Sequence, residues 1–223
     1  EVESFRDGTV LISFIFPANN PEIVKRLEGT DTEVFSFARC MVDDVKRSVD
    51  TGVKGIVMEV PSSTHIIERA YKWDLNKAIE TSIKATQYAK ENGLYVCFFP
   101  IDFSRAPLEW VLDMLKKVAT EGHMDSLAIV DTFGGLAPHT VPHLIKKMRE
   151  VFPDTPFEPH FHDDFGMGVA NTLMAMAEGC QVAQTSGVCG LLGPDWLIES
   201  ELIASLAPRQ SFTVPGVSVS SGV

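Results

Sequence analysis

Short, almost wholly apolar runs alternate along this chain with longer stretches in which apolar residues recur every three or four positions. Runs of this kind, rich in β-branched residues, are typical of strands that are buried on both faces of a parallel sheet. The pattern predicts eight strands: Glu1–Phe5, Val10–Phe16, Glu33–Ala38, Gly55–Val60, Tyr95–Ile101, Ser126–Asp131, Phe157–His162 and Gln181–Val188.

The stretches between these runs carry apolar stripes with helical spacing. The stripes lie in residues 41–49, 75–89, 108–118, 141–148 and 169–176. A glycine of the kind that commonly ends helices follows four of them, at Gly52, Gly93, Gly122 and Gly179. Strand and helix alternating within one domain predict an α/β fold, the (β/α)8 TIM barrel, with a doubly wound open sheet as the alternative.

The junction between the first two predicted strands is irregular. Only residues 6–9 separate them, whereas a parallel crossover needs a dozen or more residues. Either Asp7-Gly8 forms an antiparallel hairpin, or a loop and helix are missing between Gly8 and Thr9. We assign residues 1–207 to the barrel domain and residues 208–223, rich in Ser, Val and Gly, to a C-terminal tail.

Composition narrows the function classes. The formal net charge of −11 is a poor match for nucleic acid or an anionic membrane surface. We find neither a long apolar span nor a signal-peptide pattern. Cys40, Cys97, Cys180 and Cys189 are widely spaced, which favours free thiols in a reducing compartment, so we expect a cytoplasmic protein.

The most informative polar motif is His160-Phe161-His162, at the end of the seventh predicted strand and directly before Asp163 and Asp164. Residues i and i+2 of a strand point to the same face, so the two imidazoles can converge on one point. Two imidazoles with carboxylates nearby suit a divalent metal ion of the zinc, manganese or cobalt type. The alternative is a hydrogen-bonded pair of histidines.

The segment HFHDDFGMGVANTLMA, residues 160–175, resembles the second signature of the metal-dependent HMGL-like, or DRE-TIM metallolyase, barrels. That family includes 2-isopropylmalate synthase, homocitrate synthase, citramalate synthase and HMG-CoA lyase. Five further segments resemble family motifs in the same order along the chain: FRDG at 5–8, FPANNPE at 16–22, DFSR at 102–105, DTFG at 131–134 and SGVCGLLG at 186–193. Because the family has a helix after its first strand, the resemblance favours a missing segment between Gly8 and Thr9.

The resemblance implies a ligand set and a catalytic arginine. Asp7, His160 and His162 would be the protein ligands of a divalent ion, which could be Mg, Mn, Zn or Co. All three end predicted strands, and the carboxyl ends of the strands form the active-site face of a barrel. Arg6 would stabilise the oxyanion that develops during the reaction.

The resemblance also implies two substrate-binding residues. Thr132 lies where the family presents a hydroxyl to the substrate carboxylate, although an ordinary threonine at a strand end is an equal alternative. Arg105 could bind substrate, with a helix cap or a loop ion pair as the alternative.

The activity implied is a Claisen condensation of acetyl-CoA with a 2-oxo acid, as in amino-acid biosynthesis, in a homodimeric enzyme. HMG-CoA lyase-like or aldolase-type cleavage of a carbon–carbon bond is an alternative, although Pro194 stands where the lyase has a cysteine. Ile101 occupies the place of a glutamate that synthases usually carry, and Ser13 replaces another. Because of these departures, a catalytically weak barrel that binds metal remains a further alternative. A metal-dependent hydrolase is the least favoured alternative.

Overall fold

A computed structural model describes residues 10–14, 20–29, 33–188 and 199–205 of the 223-residue chain. Its strands form one sheet in sequential order, from β1 to β8. The strands are β1 (Val10–Phe14), β2 (Glu33–Arg39), β3 (Gly55–Pro61), β4 (Tyr95–Ile101), β5 (Ser126–Asp131), β6 (Phe157–His162), β7 (Val182–Val188) and β8 (Glu199–Ser205). Neighbours from β1 to β7 are parallel, whereas β8 is antiparallel to β7. Strands β1 and β8 contact each other, so the sheet curls round like a barrel.

The described residues form seven helices between these strands. They are α1 (Asn20–Arg26), α2 (Val42–Thr51), α3 (Thr64–Ile66), α4 (Leu75–Glu91), α5 (Leu108–Glu121), α6 (Val141–Val151) and α7 (Gly168–Ala177). A π-helical turn (Ile67–Tyr71) follows α3, and two 3-10 turns (Phe103–Arg105 and Pro138–Thr140) precede α5 and α6. None of the helices in the described part of the chain is both long and apolar enough to cross a membrane.

The main core lies between the sheet and the helices. Phe98, Leu127 and Phe157 occupy matching register positions on three adjacent strands and are fully buried. Their helical counterparts, such as Leu115 and Ile145, belong to the same buried cluster. Each of these side chains contributes about 1.5–3 kcal/mol when it is withdrawn from water. The apolar stripes seen in the sequence therefore mark the faces that attach the helices to the sheet.

Seven of the eight predicted strands are present as β1–β7, within a residue or two at their ends. The sequential strand order excludes the doubly wound alternative, whose strand order reverses at a switch point. The predicted strand Glu1–Phe5 and the junction between Gly8 and Thr9 lie outside the described residues. Strand β8 was not predicted, because Leu202 and Ile203 are adjacent and give no alternating pattern. The domain boundary at residue 207 remains a prediction.

The inner face of the sheet is identified by its ring contacts and strand register. The Phe99 ring meets the His160 ring edge-on, with their centroids 4.8 Å apart, so both side chains point into the barrel. Arg39, Glu59 and Phe99 are register partners on β2, β3 and β4, and register partners on parallel strands share a face. A charged layer near the carboxyl ends of β2 and β3 therefore faces the same interior as the histidine motif.

Candidate functional site

His160 and His162 face each other at the carboxyl end of β6. Their Nε2 atoms are 3.2 Å apart, and their ring centroids are 5.1 Å apart. His160 is 3% exposed and His162 is half-buried, so the pair opens towards the mouth of the barrel. The structure thus confirms the prediction that both imidazoles occupy one face of the strand.

The geometry of this pair fits a shared metal ion. Two imidazole nitrogens at ~2.1 Å from one ion, at octahedral or tetrahedral angles, lie about 3.0–3.4 Å apart. The separation of 3.2 Å falls within that range. It is also compatible with a hydrogen bond between one protonated and one bare Nε2 atom.

Within the residues that the structure describes, no group of three His, Cys, Asp or Glu side chains could hold an ion. The predicted third ligand, Asp7, and the predicted catalytic residue, Arg6, lie outside the described residues. The structure thus places two of the three predicted ligands together.

A buried residue, Asp102, joins the loops at the carboxyl ends of β3, β4 and β5. Asp102 is fully buried and has a φ of 63°, a left-handed conformation that Asp tolerates better than most residues. Its carboxylate accepts hydrogen bonds from Ser63 Oγ (2.6 Å), Arg105 Nε (2.6 Å) and Arg105 Nη2 (2.9 Å). Its backbone N–H donates to Thr132 Oγ1 at 2.7 Å. Thr132 and Arg105, the two predicted substrate-binding residues, therefore both contact Asp102.

Arg105 forms an ion pair with Asp102, which is the loop ion pair given as an alternative in the sequence analysis. Hydrogen bonding to Asp102 raises the pKa of the guanidinium above its ordinary value. The cation lies 3.8 Å above the centre of the Phe133 ring, yet the side chain remains 51% exposed. This arrangement fixes the position of the charge and leaves part of it accessible. Its role in binding substrate remains a prediction.

Further hydrogen bonds hold the loops that follow β5 and β6. Asp131 accepts from Ser104 Oγ (2.6 Å) and from the backbone N–H of Leu136 (2.8 Å). Asn171 on α7 donates to the Leu136 carbonyl at 2.7 Å. The loop after β5 is thereby tied both to the loop after β4 and to the helix after β6.

One glycine makes the close approach of these loops possible. Gly134 has a φ of 59°, and a Cβ atom there would lie 2.7 Å from the His162 carbonyl oxygen and 3.0 Å from the Asp164 nitrogen. The loop after β5 therefore packs directly against the end of the histidine strand. A larger residue at this position would displace one of the two backbones.

Sequence reasoning missed a polar pair at the carboxyl end of β3. Tyr71 Oη donates to Glu59 Oε1 at 3.1 Å. Burial raises the pKa of both side chains, and for Glu59 the hydrogen bond from Tyr71 partly opposes this shift. The signal available in the sequence was a single carboxylate within the apolar strand Gly55–Pro61, where charged residues are rare.

A comparison with protein families assigns the chain to a known family. Residues 19–192 match the family described as HMGL-like, which is more than half of the chain. The chain therefore belongs to the HMGL-like family. The match includes β6 and the loops around it, and it confirms the resemblance carried by the motifs.

Curated HMGL-like relatives are longer than this chain. A protein of Archaeoglobus fulgidus is 36% identical over 154 residues, which are 69% of this chain and 31% of the relative. The homocitrate synthase of Methanopyrus kandleri is 31% identical over 74% of this chain and 42% of its own length. The 2-isopropylmalate synthase of Methanocaldococcus jannaschii is 30% identical over 89% of this chain and 39% of its own length. The chain thus spans about a third to two fifths of the relatives it matches.

Solved structures support the barrel fold. The HMG-CoA lyase of Bacillus subtilis superposes with a TM-score of 0.68 at 16% identity, over 84% of this chain and 64% of the lyase. The HMG-CoA lyase of Brucella melitensis gives a TM-score of 0.64 at 17% identity, over 82% of this chain and 67% of the lyase. At these identities the likeness is one of fold, and it confirms the predicted TIM-barrel class.

Proposed function

We propose that this chain carries the active site of an enzyme that condenses acetyl-CoA with a 2-oxo acid. The observation that carries the proposal is the pair of imidazole nitrogens 3.2 Å apart at the carboxyl end of β6, in a chain of the HMGL-like family. Relatives named as homocitrate and 2-isopropylmalate synthases support this reaction class over carbon–carbon cleavage.

In the proposed site, Asp7, His160 and His162 hold a divalent ion. When bound, that ion supplies Lewis-acid polarisation of the acceptor's keto group. Three protein ligands leave positions open for substrate oxygens, as a catalytic site requires. Arg6 stabilises the negative charge that develops on the keto oxygen as the new bond forms.

Thr132 and Arg105 orient the acceptor. The hydroxyl oxygen of Thr132 already accepts the Asp102 N–H, so its own hydrogen is directed elsewhere and can be donated to a substrate carboxylate. Arg105 is held by two hydrogen bonds to Asp102 and retains N–H groups at its exposed side. Together they would fix a carboxylate near the histidines before the reaction begins.

The proposed reaction forms one carbon–carbon bond and then breaks the thioester. The methyl carbon of acetyl-CoA loses a proton, and its electron pair forms a bond to the keto carbon. The keto oxygen takes up a proton and becomes a hydroxyl group. Hydrolysis of the thioester then releases free CoA and a new carboxylate, which makes the condensation irreversible.

The test is release of free CoA by the purified chain. Acetyl-CoA would be supplied with Mg, Mn, Zn or Co salts and a panel of 2-oxo acids, and free thiol would be measured. Ion binding would be followed separately by calorimetry, for wild type, His162→Asn and the control variant His143→Asn. His143 is exposed on α6, so its substitution should leave both readouts unchanged.

We expect His162→Asn to weaken binding of the ion by at least about tenfold, because the pair loses one of its two nitrogens. CoA release should fall in parallel. Bound ion without CoA release for any acceptor would contradict the synthase proposal and favour a metal-binding barrel. Equal ion affinity in wild type and His162→Asn would show that the histidines are a hydrogen-bonded pair.

Two features of the whole protein belong to this proposal. A homodimer is expected by analogy with the family, and its test is the mass of the purified chain in solution. Cys40, Cys97 and Cys180 are buried free thiols, which is compatible with a reducing compartment such as the cytoplasm.

A further inference from the structure

We propose that Glu59, hydrogen-bonded by Tyr71, is the catalytic base that takes the proton from the methyl group of the acyl thioester. The inference rests on the proposed function, and it assigns a group that the family motifs do not supply. The glutamate that synthases usually carry near the end of the fifth family strand is replaced here by Ile101.

The position of Glu59 relative to the histidines follows from the strand register and a ring contact. Glu59 is the register partner of Phe99, and neighbouring strands lie about 4.8 Å apart. The Phe99 ring is in turn in edge-on contact with His160. A molecule bound at the histidines and lying across the Phe99 ring therefore reaches the Glu59 side chain. Glu59 is half-buried, so part of this residue is exposed to solvent.

The other carboxylates of this region are less suited to act as a base. Asp102 is occupied by three hydrogen bonds and Asp131 by two, all of which hold loops in place. Glu158 also faces inwards, two residues before His160 on β6, but only 5% of it is exposed. Among the described residues, Glu59 has a hydrogen bond from Tyr71 and no basic side-chain atom within 4.0 Å.

Arg39 and Asp44 are charged residues that act on Glu59. Arg39, its register partner on β2, is bound to Asp44 on α2 by two hydrogen bonds of 2.7 and 3.2 Å. The positive charge is therefore partly neutralised, and the facing side chain on β4 is the apolar Phe99. Burial raises the pKa of Glu59, while Tyr71 and Arg39 lower it. A carboxylate in this environment is a stronger base than one on the surface.

A short irregular segment holds Tyr71 against Glu59. Tyr71 ends the π-helical turn, and Lys72 directly after it adopts a φ of 56°. Tyr71 also packs edge-on against Trp73, with ring centroids 5.1 Å apart. Single π-turns are frequent at functional sites, where they re-aim one side chain. Here the turn directs the Tyr71 hydroxyl towards the inner face of β3.

In the proposed step, the Glu59 carboxylate takes the methyl proton, and the electron pair of the C–H bond moves into the enolate. Glu59 becomes a neutral carboxylic acid that still accepts from Tyr71. The proton is then available to the oxygen of the product or to solvent. The step needs no reagent other than the acyl-CoA thioester named in the proposed function.

The test compares Glu59→Gln, Tyr71→Phe and the control variant Glu68→Gln. Glu68 is exposed and lies in the π-helical turn that carries Tyr71, so the control removes an equal charge from a nearby part of the chain. Two readouts would be used with the metal-loaded full chain. One is CoA release over a range of pH, and the other is incorporation of solvent deuterium into the methyl group of acetyl-CoA in the presence of oxalate.

We expect Glu59→Gln to slow both readouts by about 100-fold or more, as is usual when a general base is removed. Glu68→Gln should match wild type. Tyr71→Phe removes a donor that favours the charged carboxylate, so the pKa of Glu59 should rise further. The acidic limb of the pH–rate profile should therefore move to higher pH, which loss of structure alone would not cause.

Wild-type rates and an unchanged pH profile in Glu59→Gln would overturn this inference and leave the proposed function standing. Equal losses in Glu59→Gln and Glu68→Gln would overturn it as well, because the loss of a negative charge in this part of the chain would then explain both results. If Glu59→Gln does not fold, as judged by circular dichroism, the same two readouts are applied to Glu59→Asp and Tyr71→Phe. Wild-type rates and an unchanged pH profile in both of these variants would then overturn the inference. A wild type that releases no CoA with any acceptor contradicts the proposed function, and this inference with it.

Discussion

Replacing Asp102 by Asn should destabilise the protein measurably although the side chain keeps its shape. Asn also tolerates the left-handed φ of 63°, so backbone strain does not change. What changes is Oδ2, which accepts from both Ser63 Oγ and Arg105 Nη2. The NH2 group of Asn at that position can only donate, so it cannot accept the hydrogen bonds from Ser63 Oγ and Arg105 Nη2.

The magnitude follows from these two contacts. A hydrogen bond to a charged group contributes about 1.5–3 kcal/mol, but the Ser63 hydroxyl can rotate to accept from the new amide. The contact with Arg105 is discounted, since that side chain is 51% exposed and its charge is screened by solvent. We expect Asp102→Asn to lower the free energy of unfolding by about 2 kcal/mol, which corresponds to roughly 4–8 °C in Tm.

Asp102→Ala should cost more, about 4 kcal/mol, because Ala also resists the left-handed conformation and leaves Ser63 and Arg105 without an acceptor. Urea unfolding followed by circular dichroism would give the free energies. Asp113→Asn is the matched control, since Asp113 forms an exposed pair with Lys117 on α5 and should change stability by less than about 0.5 kcal/mol. If Asp102→Asn were as stable as Asp113→Asn, the idea that this carboxylate holds the loops together would be wrong.

Two further substitutions test the neighbouring loops. Gly134→Ala should destabilise by about 1–3 kcal/mol and weaken ion binding, because its Cβ atom would meet the backbone after His162; Gly135→Ala, with open space around its Cβ atom, should do neither, and calorimetry of both variants checks this. Thr132→Val should cost about 1–3 kcal/mol in urea unfolding, because it leaves the Asp102 N–H without its acceptor. Thr132→Ser keeps the hydroxyl and should be more stable than Thr132→Val, and equal stability of the two variants would show that this acceptor contributes little.

Local patterns in the sequence were sufficient for the parallel part of the fold. Seven strands could be located because each is a short apolar run, and α4 and α5 because their apolar stripes face the sheet. The period of two along a strand was also sufficient to bring His160 and His162 together. These features depend on residues that are close in sequence, where backbone geometry alone fixes which side chains share a face.

Contacts between distant segments could not be obtained in this way. Ser63 and Asp102 are 39 residues apart and meet only because β3 and β4 are neighbours in the sheet. Tyr71 reaches Glu59 through a π-helical turn, and regular helical periodicity predicts neither that turn nor the direction of the side chain. Sequence reasoning could therefore name Arg105 and Thr132, but not the carboxylate that joins them.

The link through Asp102 changes what can be expected of Thr132. A hydroxyl group has one hydrogen and can both donate and accept. Because the oxygen of Thr132 accepts a backbone N–H from the adjacent strand end, its hydrogen is the part left to meet a ligand. The structure thus presents a donor at this position, and a ligand group that accepts hydrogen bonds, such as a carboxylate, matches it. Preference for a 2-oxo acid over the corresponding neutral ketone would then depend on the hydroxyl and should persist in Thr132→Ser but not in Thr132→Val.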